Sequence, residues 1–192
     1  DRAFFGSEWT PGVDNDPHGS ILHAHNLGSV GGYYSSSDEA VTAVRADSNE
    51  MEMFYISLDY ERIGSDEYNS VLAHEFQHMI HWYNDLNEEG WLNEGFSELT
   101  YFINGLSGSG SDYSFAVEPD TQLNTWPEDS NLSFPHYGAS YLFTSYFLDQ
   151  FGPDATQSLV AHPENGLAAV DLVLADTGAG MTHEDFFANW VV

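Results

Sequence analysis

The stretch "LAHEFQHMIHWYNDLNEEGWLNEGFSEL", from Leu72 to Leu99, holds three histidines, six carboxylates and no basic residue. Apolar residues recur through its first half at close to helical spacing, which predicts an amphipathic helix over Ser65–Tyr83 with Ser65 as its N-cap. A second helix is predicted over Trp91–Ile103, ending near Gly105. The densest group of titratable side chains therefore lies on two consecutive helices.

His74 and His78 are the two histidines of an H-E-x-x-H motif. Residues four apart share a helix face, so both imidazoles can reach one ion. Glu75 is offset around the helix, where its carboxylate can reach a water on that ion without ligating it. Two nitrogen ligands and a carboxylate base are what a metal-dependent hydrolase needs. His81 lies seven residues beyond His74, and we interpret it as a packing or surface histidine.

A zinc site also needs a third protein ligand and an open position. Glu94, in the second predicted helix, is the candidate, and the predicted ion is Zn²⁺. Glu98 follows one turn later and is predicted to accept the second N–H of a ligating histidine. Gly95 is unusual inside a helix, and its lack of a side chain would let a neighbouring helix or the metal approach closely.

Strand patterns precede the helical ones along the chain. Strands are predicted over Ser20–Leu27, Val30–Asp38 and Met51–Tyr60, the last with the clearest alternation. Beyond the second helix, a flexible loop is predicted over Gly105–Asp112 and a third helix over His136–Pro153, and shorter helices follow. This order predicts an α+β fold, with a small N-terminal sheet lobe and a mostly helical C-terminal lobe.

The length suits one catalytic domain over residues 1–192. Residues 1–83 would form the sheet lobe with the active-site helix, and residues 84–192 the helical lobe. The chain stops on apolar residues without a helix-stop signal, so we expect it to continue past Val192. We expect a monomer.

The charge excludes several classes of partner. Asp and Glu number 31 against 3 arginines and no lysine, for a formal charge of -28. Such a surface repels nucleic acids and anionic membranes and favours divalent cations. There is no cysteine, so thiolate metal sites and disulfides are excluded, and no apolar run is long enough to span a bilayer.

Three further groups of residues are candidates for other roles. Tyr137 and His136, in that order, are predicted donors to an oxyanion. Gly31, Gly32, Tyr33 and Tyr34 lie in a predicted edge strand, where glycines would let a substrate backbone approach. Asp14 and Asp16 suggest a Ca²⁺ loop but lack the later acids of an EF-hand, so a turn rich in Asp and Asn explains them more simply.

The two motifs together, "HEFQHMIHW" and "WLNEGFSEL", resemble the gluzincin clan of zinc peptidases, whose third ligand is a glutamate on the next helix. "WLNEGF" resembles the aminopeptidase N group. With "GGYYSSSDE" and "MFYISLDY", the run from Asp14 to Phe151 more closely resembles the hyicolysin-like neutral metallopeptidases. Two departures stand out, a shorter spacing between His78 and Glu94 and the absence of the aminopeptidase G-x-M-E-N element.

The resemblance implies a zincin-like fold and a secreted zinc endopeptidase, with an edge strand above the cleft that pairs with an extended peptide or protein substrate. Three alternatives stay open. A zinc aminopeptidase shares the motif, although the missing exopeptidase element counts against it. A metal-stabilised binding module would have no need of Glu75 as a base. A halophilic structural domain explains the charge but not the motif.

Overall fold

The computed structural model describes all residues from Asp1 to Val192. The fold is α+β, as predicted, and it contains three strands and seven α-helices. The strands are β1 (Ser20–Ala24), β2 (Gly32–Tyr34) and β3 (Met53–Ser57). The helices are α1 (Arg2–Phe5), α2 (Asp66–Asn84), α3 (Gly90–Asn104), α4 (Ser111–Val117), α5 (Phe134–Val160), α6 (Gly166–Thr177) and α7 (His183–Trp190).

The chain divides into two compact units. The first comprises residues 1–83 and 100–107, and the second comprises residues 84–99 and 108–192. The sheet and nearly all of α2 belong to the first unit, and α4 to α7 belong to the second. The prediction of one catalytic domain over residues 1–192 stays a prediction.

The sheet of the first unit has the order β1-β3-β2. β1 pairs with β3 in parallel and β2 pairs with it in antiparallel register. All five residues of β3 are buried, in keeping with its clear apolar pattern and its central position. β2 lies at an edge, where Tyr33 stacks on Tyr55 of β3 with ring centroids 4.3 Å apart.

α2 begins with the predicted cap. The Ser65 hydroxyl accepts a hydrogen bond from the Tyr68 N–H at 3.2 Å, which satisfies one of the free donors of the first turn. Asp66 and Glu67 follow in that turn, where negative charge is favourable. Met79 and Ile80 are completely buried near the other end. The helix is therefore anchored by a cap at its start and by apolar burial at its end.

Aromatic side chains form the core of the second unit. Phe143 of α5 packs against Trp91 of α3 with ring centroids 5.5 Å apart, and against Phe186 of α7 at 5.2 Å. Phe147, one turn after Phe143, reaches the same Phe186 ring at 5.6 Å. Edge-to-face contacts of this kind add to the free energy gained from burial. They hold the first part of α3 beside α5 and α7.

Of two predictions of local structure beyond α3, one was wrong in part and one was confirmed. The predicted loop over Gly105–Asp112 ends early, because α4 begins at Ser111. The predicted end of the third helix at Gly152 is confirmed, because α5 joins two helical segments across a kink at this residue. Gly152 has a non-helical backbone there, with φ 78° and ψ 179°.

Gly95 brings α5 close to α3. A Cβ atom at this position would lie 2.8 Å from the carbonyl oxygen of Ser140 and 2.9 Å from Cγ2 of Thr144. The Thr144 hydroxyl also donates a hydrogen bond to the Gly95 carbonyl at 2.9 Å. The unusual glycine is therefore explained by the close approach of a neighbouring helix, the first of the two alternatives for this residue.

We predict that Gly95→Ala destabilises the chain by about 1–3 kcal/mol, because the new methyl group meets backbone that cannot move aside cheaply. The measurement is urea unfolding followed by circular dichroism. Gly90→Ala is the matched control, since it lies on the same helix and its Cβ would meet only Trp126 at 3.8 Å. An equal midpoint for Gly95→Ala and the native chain would contradict the packing argument.

Glu39 is a buried acid beneath the edge strand. Its carboxylate accepts a hydrogen bond from the Tyr34 hydroxyl at 2.7 Å, and the residue is 7% exposed. Burial is the main cause that raises the pKa of Glu39 from its ordinary 4.5 to about 7. Between these values the folded chain keeps a proton that the unfolded chain loses. The free energy of unfolding should therefore fall as pH rises through that window.

The free energy of unfolding of the native chain should fall between about pH 5 and about pH 8. We predict that Glu39→Gln makes this fall smaller by about 2 kcal/mol, since glutamine does not ionise. Thermal unfolding at both pH values measures it. Glu128→Gln, at an exposed position, should keep the native slope. If Glu39→Gln showed the same slope as the native chain, ionisation of Glu39 would not be the cause of the decline in the free energy of unfolding.

Candidate metal centre

His74 and His78 lie one turn apart on α2, as the H-E-x-x-H spacing predicts. Their ring centroids are 4.8 Å apart and the planes make an angle of 80°. A ring nitrogen of each lies within 4.8 Å of one of the other. His74 is 8% exposed. Two imidazoles this close on a helix that buries one of them are a suitable pair of ligands for a transition metal.

Tyr101 holds the His74 ring. The Tyr101 hydroxyl lies 3.2 Å from Nδ1 of His74, and the two rings stack with centroids 5.9 Å apart. With Nδ1 engaged, Nε2 is the nitrogen that remains for a metal. Sequence reasoning missed Tyr101. Its spacing could have indicated it, because Tyr101 lies seven residues after Glu94, two turns along the same helix face.

Glu75 is fixed by the edge strand. Its Oε2 accepts a hydrogen bond from the backbone N–H of Tyr34 at 2.9 Å, and the residue is 9% exposed. The Ser57 N–H donates a hydrogen bond to the Gly31 carbonyl. In an antiparallel pair, every second residue bonds to the neighbouring strand. The N–H and carbonyl groups of Gly32 and Tyr34 therefore point away from β3. Glu75 therefore lies at the free edge of β2.

The glycines of β2 have a packing role. A Cβ at Gly32 would lie 2.7 Å from the Tyr55 carbonyl oxygen and 2.8 Å from a methyl of Val71. A Cβ at Gly31 would lie 3.2 Å from the other Val71 methyl. These two residues let β2 fit between β3 and α2. They thereby bring the Tyr34 N–H to Glu75.

Glu94 and Glu98 lie one turn apart on α3, as predicted. His74 and His78 belong to the first unit and Glu94 to the second, so Glu94 as the third ligand stays a prediction. Two imidazoles and a carboxylate are a donor set that fits zinc. Glu98 is 3% exposed, and its Oε2 accepts hydrogen bonds from the hydroxyls of Ser109 at 2.5 Å and Ser111 at 2.7 Å. The role predicted for Glu98 beside a histidine stays a prediction.

His81 is completely buried. Burial, with a smaller contribution from the charge of His78, lowers its pKa to about 3. Its imidazole is therefore neutral at physiological pH, as expected for a packing histidine.

The two predicted oxyanion donors lie in the first turn of α5. Trp126 packs against both, with ring centroids 4.8 Å from Tyr137 and 6.0 Å from His136. Nδ1 of His136 is buried without a hydrogen-bond partner. This ring nitrogen can therefore donate or accept one further hydrogen bond.

Asp14 and Asp16 make local turns. The Asp14 carboxylate accepts from the Asp16 N–H at 2.8 Å, and the Asp16 carboxylate accepts from the His18 N–H at 3.1 Å. Both aspartates are exposed. These contacts are typical of turns rich in Asp and Asn. A Ca²⁺ site at this position stays a prediction.

None of the helices combines the length and the apolar character needed to cross a membrane. No family model matches the chain. The chain is similar to the neutral metalloprotease ShpI of Staphylococcus hyicus, with 30% identity over 145 residues. This alignment covers 65% of the chain and 33% of the relative, so the chain spans about a third of that protein's length.

Proposed function

We propose that the chain is the catalytic part of a zinc-dependent endopeptidase of the gluzincin type. The observation that carries the proposal is the arrangement on α2, where the imidazoles of His74 and His78 pair and the adjacent Glu75 is held by the edge strand. The similarity to a neutral metalloprotease agrees with it. The resemblance of the motifs adds the gluzincin class and an extracellular setting.

We assign the metal ligands to His74, His78 and Glu94. The imidazoles of His74 and His78 lie together on α2, where the Tyr101 hydroxyl contacts Nδ1 of His74. Glu94 is the third ligand that the resemblance of the motifs implies. When bound, zinc would acidify a water molecule and stabilise negative charge on a peptide carbonyl oxygen. Glu98 is the proposed partner of a ligating histidine.

Glu75 is the proposed general base. The Tyr34 N–H bonds to Oε2 and orients the carboxylate, so Oε1 is the oxygen that takes the proton from the attacking water. The same group can then deliver the proton to the leaving amine. The backbone bond lowers the reorganisation that the carboxylate must undergo when it changes charge.

The free edge of β2 is the proposed substrate site. An extended peptide can add to this edge through backbone hydrogen bonds. The Tyr34 N–H is already bound to Glu75, so the groups that remain for the peptide on this stretch are the Tyr34 carbonyl and the N–H and carbonyl of Gly32. The pairing would place a peptide carbonyl beside Glu75. Tyr33 follows on the opposite face of the strand and stacks on Tyr55.

Tyr137 is the proposed donor to the oxyanion, and His136 is the second candidate. Both rings are supported by Trp126, which limits the positions they can adopt. A preorganised donor of this kind contributes because it need not reorient during the reaction.

We predict that Glu75→Gln lowers the cleavage of casein by about 10²–10⁴-fold, since glutamine cannot accept the proton. Zinc-loaded native and variant proteins would be compared at low and high salt. Their zinc content should be equal. Glu118→Gln, at an exposed position, should cleave like the native chain.

Peptides blocked at both ends separate the endopeptidase from an aminopeptidase, because only the endopeptidase can cut them. A native protein that binds zinc but cuts neither casein nor free peptides would overturn the proposal in favour of a metal-stabilised binding module. A Glu75→Gln variant with native activity would overturn the assignment of the base.

We predict that Tyr101→Phe weakens zinc binding by about 10–100-fold, because the His74 ring loses the hydroxyl that sets its orientation. Competition with a coloured chelator measures the affinity without reference to activity. Tyr113→Phe is the matched control, since Tyr113 is 75% exposed. Equal zinc affinity in the Tyr101 variant and the native chain would exclude a positioning role for the hydroxyl.

A further inference from the structure

A groove lies beside α7, and all of its lining residues belong to the second unit. It consists of two cavities of about 560 Å³ each. Four residues line both cavities, and they are Phe115, Pro119, Trp190 and Val191. We call the two cavities together the α7 groove. The proposed peptidase mechanism uses none of its residues.

Aromatic rings form the wall of the α7 groove. The Trp190 ring stacks on Phe115 with centroids 5.8 Å apart and an angle of 13° between the planes, and it lies 5.5 Å from the Phe187 ring. Phe187 is 40% exposed and Val191 is 59% exposed, although both are apolar. Apolar side chains that line a concave surface of this size are typical of a binding site.

The charges around the groove are negative. Asp120 and Glu184 line the first cavity, Asp149 lines the second, and all three are exposed. The second unit contains no arginine or lysine, because the three arginines of the chain lie in the first unit. The face of an indole ring attracts a cation, and so does the carboxyl end of a helix, which is where Trp190 lies in α7. The groove therefore favours a ligand that is apolar in one part and positively charged in another.

Each cavity also contains a polar side chain that can bind a ligand. In the first cavity, the Asp171 carboxylate accepts hydrogen bonds from the His183 backbone N–H at 2.6 Å and from Nδ1 of its ring at 2.7 Å. The proton of the neutral imidazole therefore lies on Nδ1, and Nε2 is an acceptor. In the second cavity, the Ser145 hydroxyl oxygen is buried without a hydrogen-bond partner.

The length of the groove indicates a peptide and excludes a single side chain as its occupant. His183 and Trp190 stand at opposite ends of α7, and seven residues of helix rise by about 10 Å. Three residues of extended peptide cover about the same distance. Arginine suits the charged end better than lysine, because its planar guanidinium can stack on an indole and bind a carboxylate with two N–H groups. A second copy of this chain is disfavoured, because each copy carries a formal charge of -28.

We propose that the α7 groove binds an extended segment of another polypeptide that carries an apolar side chain and a nearby arginine. The apolar side chain occupies the first cavity, and a backbone N–H of the segment donates to Nε2 of His183. The arginine lies over Trp190 in the second cavity and pairs with Asp149. The proposal does not rest on the proposed peptidase function, and it is tested by binding alone.

The probe is the blocked peptide acetyl-Arg-Gly-Leu-Gly-Arg-amide, which presents leucine two residues from an arginine in either direction of the chain. Isothermal titration calorimetry measures its binding to the zinc-loaded Glu75→Gln variant, and mass spectrometry verifies that the peptide stays intact. We expect binding to weaken by about 10-fold when glycine replaces the leucine, because the burial of its side chain is lost. An analogue with glutamate in place of both arginines should not bind.

Two changes in the groove, made in the same Glu75→Gln chain, test the site itself. Trp190→Leu should weaken binding by about 10-fold, because leucine is apolar but offers no ring face to the guanidinium. Asp149→Asn should weaken it by about 3-fold, because an exposed charge partner is lost. Asp154→Asn is the matched control on the same helix, at an exposed position outside the groove, and should bind like the parent chain.

Nuclear magnetic resonance identifies the site independently of affinity. The indole N–H signal that is missing from the spectrum of Trp190→Leu belongs to Trp190, and it should shift when the peptide is added to the parent chain. If Trp190→Leu does not fold, as judged by circular dichroism, single-residue assignment of this signal and the Asp149→Asn variant decide the outcome.

Three results would overturn the proposal. The first is equal binding of the arginine and glutamate peptides. The second is unchanged affinity in Asp149→Asn together with an unshifted Trp190 signal, which would place the peptide elsewhere on the chain. The third is a parent chain that sediments as a dimer and does not bind the peptide, while Asp149→Asn or Trp190→Leu sediments as a monomer. In that case a second copy of the chain would occupy the groove.

Discussion

Burial of polar side chains on α2 is the constraint that shapes the candidate site. His74, Glu75, Gln77 and His81 are all buried on this one helix, beside apolar residues such as Met79 and Ile80. Each buried polar group costs free energy unless it finds a partner. The surrounding elements meet this cost by supplying a hydroxyl from α3 to His74 and a backbone N–H from β2 to Glu75. These contacts also orient the imidazole and the carboxylate for chemistry.

The edge strand combines a structural and a functional task. Gly31 and Gly32 allow it to lie close to β3 and to α2, where a side chain would collide. This fit presents the Tyr34 N–H to Glu75 at the edge that β3 leaves unpaired. An extended peptide that joined this edge would meet the proposed base directly. The position of the base and the proposed position of the substrate therefore depend on the same short strand.

The shortage of basic residues gives cations from outside the chain a particular importance. With 31 acids and 3 arginines, buried carboxylates can seldom be neutralised by the protein itself. Glu39 meets this problem with a hydrogen bond from a tyrosine hydroxyl and with a raised pKa.

Several features follow from the sequence alone. Helical periodicity determined that His74 and His78 share a face of α2, and the residues Ser65 and Gly152 determined a cap and a break in the helices. These predictions succeeded because they rest on residues no more than one or two turns apart, where the backbone geometry is known. The α+β class followed in the same way from the order of the strand and helix patterns.

Only the tertiary structure decided which groups hold the site residues. Tyr101 is 27 residues from His74, and Tyr34 is 41 residues from Glu75, so no periodicity connects them. The Tyr34 contact uses a backbone N–H. Every residue except proline has this group, so the sequence does not single out Tyr34. Local spacing determined which residues could act, and long-range packing decided what orients them, because burial and hydrogen bonding are settled only when distant segments meet.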